Sequence, residues 1–115
     1  MTAIKMSRID ALTQIITFGE LREHAFSQLV KFSYGNDVSS LEVSNLILSE
    51  VLTKYLSDVI SADDLEEWAN FIECRDDLEF TAIEGFVYAL ANPEQMGEIS
   101  KANIDKMLKM LNSSL

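Results

Sequence analysis

In the stretch SADDLEEWANFIE, residues 61–73, the apolar side chains Leu65, Trp68, Ala69 and Ile72 recur at i, i+3, i+4 and i+7. A strand would send these four to opposite faces, whereas a helix gathers them on one, so the spacing predicts an amphipathic α-helix. Ser61 stands where an N-cap belongs, and Asp64 stands where a side chain can reach back to it. The rest of the chain allows the same kind of element. Four glycines and one proline in 115 residues leave few breaks, which favours helices over a many-turned β fold. The expected architecture is all-α, a compact bundle of five to six helices forming a single domain over residues 1–115. A chain of this length buries roughly two thirds of its unfolded surface.

The first helix is expected from about Ser7 to Phe18, with Ile9, Leu12 and Ile16 on one face, Ile15 beside them, and Gly19 ending it. The second runs from about Glu20 to Ser33 with Leu21, Ala25, Leu29 and Phe32 inward, stopping at Tyr34-Gly35-Asn36, with turn chemistry continuing to Ser39. The third begins at SSLE, where Ser39 and Glu42 form a capping box, and carries Leu46, Ile47, Leu48, Val51, Leu52, Tyr55 and Leu56. After the tryptophan helix, a fifth spans about Leu78 to Ala91 with Ile83, Phe86, Val87 and Leu90 inward. Asn92-Pro93 ends it. Ser100 caps the sixth, which turns Ile104, Met107, Leu108 and Leu111 inward.

Charge is distributed very unevenly. The formal net charge is −10, yet residues 58–84 contain ten acids against Arg75 alone, a local charge of −9, while the remainder is nearly balanced. Residues 63–79 place eight carboxylates in seventeen positions. Such a balance argues against nucleic acid or anionic lipid as a direct ligand and points to a cationic partner or to solubility. On the tryptophan helix, Glu66, Asn70, Glu73 and Asp77 are spaced to line the side opposite the core, with Asp63, Asp64 and Glu67 beside them. Acids in the first turn are favoured by the helix dipole. Glu73, Asp76 and Asp77 lie toward its other end, where the dipole opposes them. Asp76 could cap the next helix, with Glu79 closing a D-x-x-E box. The candidate partner-binding set is therefore Asp63, Asp64, Glu66, Glu67, Asn70, Phe71, Glu73, Asp76, Asp77 and Glu79. Phe71 falls between the buried and acidic faces. A solvated face is the plain alternative, and oxygen ligation of a divalent metal by the DDLE runs is a weaker one, since no EF-hand spacing is present.

No catalytic signature occurs: no P-loop, no dinucleotide fingerprint and no G-x-S-x-G. His24 is the single histidine and Cys74 the single cysteine. Neither a disulfide within the chain nor a cysteine-based zinc site can form, which suits a reducing compartment such as the cytoplasm. Acidic neighbours make Cys74 a poor nucleophile, and it is expected at a packed or boundary position. Gly85 inside the fifth helix serves close packing or nothing. Asp10, Thr13 and Gln14 interrupt the apolar N-terminal stretch, so no signal peptide is expected, and no run approaches membrane-spanning length. No enzyme activity, cofactor or metal is expected. NDVSSLEVSNLI faintly resembles the start of the second helix of acyl carrier proteins, in which the prosthetic serine follows an aspartate and precedes leucine. Here Ser40 precedes Leu41, but Ser39 holds the aspartate position.

LEEWANFIECRDDLEF, then ANPEQMGEIS, then a short amphipathic helix resembles the small bacterial immunity proteins of contact-dependent growth inhibition and related polymorphic toxin systems. The resemblance covers roughly residues 56–111. It implies a cytoplasmic antidote that binds and blocks a cognate toxin domain, such as a nuclease with a basic cleft. An acyl or peptidyl carrier and a helical regulatory adaptor for a basic partner are the alternatives. Phe71 and Tyr34 are candidate apolar anchors, and the loops Gly35 to Ser39 and Asn92 to Gly97 candidate contributors to the interface.

Overall fold

The computed structural model of the chain describes residues 6–30 and 40–113. Helix α1 is Arg8–Ile16 and α2 is Arg22–Leu29; strand β1, Leu41–Glu42, precedes α3, Asn45–Leu56. Helix α4 is Ala62–Glu73, followed by strand β2, Leu78–Glu79, a 3-10 turn at Thr81–Ile83 and α5, Glu84–Ala91. A one-turn helix α6, Pro93–Met96, and α7, Lys101–Asn112, complete the order. The fold is all-α, and the described residues already hold one helix more than expected. Pro93 stops α5 but opens α6, because its fixed φ and missing N–H suit the first position of a helix.

The amphipathic pattern holds along α4. Leu65, Trp68, Ala69 and Ile72 are buried, and Ser61 and Asp64 form the reciprocal capping box. Trp68 is enclosed by the core, and its indole Nε1 donates to the Ile16 carbonyl at 2.9 Å. Ile16 is the last residue of α1, where carbonyls lose their helical partners. One side chain thus fills the core and closes the end of a neighbouring helix. Helix α1 packs on α2, α4 on α5, and α3 on α7.

Lysine at the start of α7 performs the same service for α3. Lys101 Nζ donates to the carbonyls of Tyr55 and Leu56 at 2.8 and 3.1 Å and pairs with Asp58 at 2.6 Å. A cation at a helix C-terminus also complements the dipole.

Helices α1 and α3 both end with a left-handed residue that is not glycine. Phe18 has φ 51° and Asp58 φ 63°. The amide two residues past each helix cap then donates back to the last turn, Gly19 to Gln14 and Val59 to Lys54, both at 2.8 Å. This is Schellman geometry, displaced one residue from where the glycine of the first helix suggests it. Gly19 has a different duty. A Cβ there would sit 2.0 Å from Gln14 Oε1, the atom that accepts the Leu21 amide ahead of α2. Gly19→Ala is expected to expel the Gln14 amide and cost about 1 kcal/mol, the net worth of that bond. Urea denaturation checks the figure, and an unchanged midpoint would show that the glutamine has no structural role here.

Two expected helix starts and one inward residue are corrected. Glu42 does not belong to a capping box for α3; it lies in β1, and Ser44 caps the helix through the Ile47 amide. The helix expected from Leu78 begins only at Glu84, because Leu78 and Glu79 are drawn into a parallel pair with Leu41 and Glu42. The amides of Leu41 and Val43 donate to the carbonyls of Asp77 and Glu79 at 3.0 and 2.8 Å. Leu46 points outward rather than into the core. Phe32, Tyr34 and the segment Gly35 to Ser39, including the expected Ser39 cap, lie outside the described residues.

Candidate functional site

The outward side of α4 carries Asp63, Glu67, Asn70 and Cys74, all exposed and spaced four, three and four apart. This stripe differs by one register from the expected one. Glu66 is half-buried on its flank, and Glu73 is exposed on the same flank. Asp64 turns back to the Ser61 amide at 2.9 Å and so serves the helix itself. Cys74, expected at a packed or boundary position, is exposed as the C-cap of α4. Among the described residues, no ion pair engages Asp63, Glu66, Glu67 or Glu73.

Asp77 is the clear departure. The helix stops at Glu73, so the spacing that placed Asp77 on the outward face runs one turn too far. Its carboxylate instead accepts from Arg75 Nε and Nη2 at 2.7 and 2.8 Å and from Arg8 at 2.6 Å. The side chain is only 19% exposed. The Arg75 hydrogen bond lowers its pKa most, partial burial opposes the shift, and Arg8 lowers it further. Asp77 is therefore a structural tie between the start of α1 and the turn after α4.

Phe71 also faces its own protein. It is half-buried, meets the Phe26 ring edge-on at 5.7 Å, and lies 5.6 Å from the Arg75 guanidinium. On α2, Arg22 sits over both Phe18 and Phe26, at 4.6 and 4.9 Å. A row of rings and guanidiniums, Phe18, Arg22, Phe26, Phe71 and Arg75, thus runs from the turn after α1 across α2 to the turn after α4. Sequence spacing did not reveal it, because its members come from α2, α4 and the turns that follow α1 and α4. The Arg22 Nε is buried without a hydrogen-bond acceptor, so ring-face contact stands in for one.

Asp76 is exposed in the turn, and Glu79 is exposed on β2. The expected D-x-x-E box between them does not form: Glu79 Oε1 accepts the Thr81 amide at 2.8 Å and starts the 3-10 turn. Bonding to Thr81 lowers the Glu79 pKa. Glu79 is paired in register with Glu42, also exposed. Like charges held side by side on neighbouring strands oppose folding.

Among the described residues, no group of three or more histidine, cysteine or acidic side chains is arranged to hold a metal ion. No polar or charged residue among them is buried. Among them too, no helix is long and apolar enough to cross a membrane. Ser40 lies in coil immediately before β1 rather than at a helix start, unlike the arrangement expected of a carrier serine. Compared with known proteins, the chain matches no family model, no curated sequence and no solved structure.

Proposed function

We propose that the chain is an immunity protein that binds a cognate bacterial toxin domain through the acidic surface of α4 and the turn that follows. Its main support is the set Asp63, Glu67 and Glu73, exposed and without ion pairs to described residues. Asp63 sits in the first turn, where the helix dipole favours it, whereas Glu73 at the C-terminus opposes the dipole and has no ion pair to a described residue in return. A cationic cleft, as a nuclease needs for a polyanionic substrate, is its electrostatic complement. Long-range attraction of this kind raises association rates toward about 10⁸–10⁹ M⁻¹s⁻¹ at low salt. Asp64 and Asp77 drop out of the binding set, because both carboxylates are committed within the protein.

The test is the triple variant Asp63→Lys, Glu67→Lys, Glu73→Lys, which leaves Asp64 and Asp77 in place. Its partner is the C-terminal domain of the large secreted protein expected to be encoded just upstream. Stopped-flow association at low salt is expected to slow at least tenfold, with far-UV circular dichroism and melting temperature nearly unchanged. An unchanged rate, or the absence of such a partner beside the gene, overturns the proposal.

A further inference from the structure

The acidic face has no apolar anchor. The large apolar side chains most exposed among the described residues are Leu21, Val30, Leu46, Val59, Tyr88, Met96 and Met110, none of them on α4. Two of these, Met96 and Met110, flank an open groove of about 680 Å³ between α5, the segment after α6, and α7. Its lining is mainly apolar, with Phe86, Ala89, Leu90, Ile99 and Met107 beside a polar minority that includes Thr81 and Asn103. Gly85 opens it further: a Cβ built there has no neighbour within 4 Å. Gly85 is the second residue of α5, and no packing contact there calls for a glycine.

Its chemistry favours one kind of occupant. Unbranched thioethers adapt to irregular apolar surfaces, and methionine-lined grooves suit amphipathic helices. Among the described lining residues, the carboxylates Glu84 and Glu98 outnumber the cation Lys106, which leaves the groove with a modest negative potential. That potential selects basic residues beside the occupant's apolar stripe and disfavours an acidic helix or a fatty-acid carboxylate.

We propose that the groove between α5 and α7 is a docking site for a basic amphipathic helix of a protein partner. Apolar side chains of the helix enter between Met96, Met107 and Met110, and its lysines or arginines lie against Glu84 and Glu98. The site is independent of the acidic α4 surface, so it stands or falls separately from the toxin-binding proposal.

The probe is a synthetic 18-residue helix with leucines on one face and lysines on the other, titrated into the full chain labelled with ¹³C at the methionine methyls. The Met96, Met107 and Met110 signals are expected to shift with a Kd in the micromolar range. Gly85→Leu fills the groove while improving helix propensity, and it is expected to weaken binding at least tenfold without lowering the melting temperature. Met110→Lys is expected to weaken it similarly through charge. A glutamate version of the probe should bind at least tenfold more weakly. The proposal is overturned if the three methyls do not move or if both variants bind as wild type. Equal binding of the glutamate probe would also overturn it. Displacement of the probe by oleate at equal concentration would identify a lipid site instead, and a dimer abolished by Gly85→Leu would identify a self-association face.

Discussion

Replacing Trp68 with alanine is expected to lower stability by about 3–5 kcal/mol, the usual range for deleting a buried aromatic side chain. Domains are stable by only about 5–15 kcal/mol, so this single change approaches the limit of what the fold tolerates. Two losses combine at one position. The core loses its largest side chain, which touches solvent over only 1% of its surface. The Ile16 carbonyl loses its donor. Trp68→Phe separates them: most apolar volume is retained, yet the carbonyl is left unpaired, for an expected cost of about 1–3 kcal/mol. Urea denaturation followed by circular dichroism measures both variants without relying on the indole. A phenylalanine variant as stable as wild type would show that the indole N–H contributes nothing to holding α1 against α4.

Asp77→Ala ranks second, with an expected loss of about 1.5–3 kcal/mol, the range for hydrogen bonds to charged groups that are mostly out of water. The substitution removes three short bonds and leaves Arg8 and Arg75, both largely buried, without their shared carboxylate. The effect depends on pH in a defined direction. The folded protein holds Asp77 below its ordinary value of 3.8, chiefly through Arg75. Its contribution is therefore complete above that value and disappears as pH falls through the lower folded one. The stability gap between wild type and Asp77→Ala is expected to be constant from pH 7 to about 5 and to close below pH 4. A gap that persists undiminished at pH 2.5 would mean that packing, not ionisation, makes the residue important.

What the sequence revealed, and what it hid, divides along the range of the interactions. Ser61 with Asp64, and Ser100 ahead of α7, were legible because a cap and its amide lie three residues apart. The buried face of α4 was legible because its period repeats over two turns. The Asp76–Glu79 box was equally local, but it lost to a pairing with residues 41 and 42 that no two-residue strand advertises. Asp77 was misplaced because periodicity does not announce where a helix stops, and past Glu73 its carboxylate turns to Arg75 and Arg8. Lys101 reads as an ordinary surface lysine until α3 is brought beside it. The methionine groove was invisible for the same reason, since Met96, Met107 and Met110 converge only once α7 folds against α3.

The in-register glutamates also affect how molecules of this protein meet one another in concentrated solution. A parallel pair of strands ends on both flanks in open backbone donors and acceptors, which invite a further strand from a second molecule. Here each strand is two residues long and bears one exposed glutamate. Any chain that added itself would have to desolvate or crowd those carboxylates. Repulsion between Glu42 and Glu79, a burden on the single molecule, thereby works as a safeguard against β-aggregation.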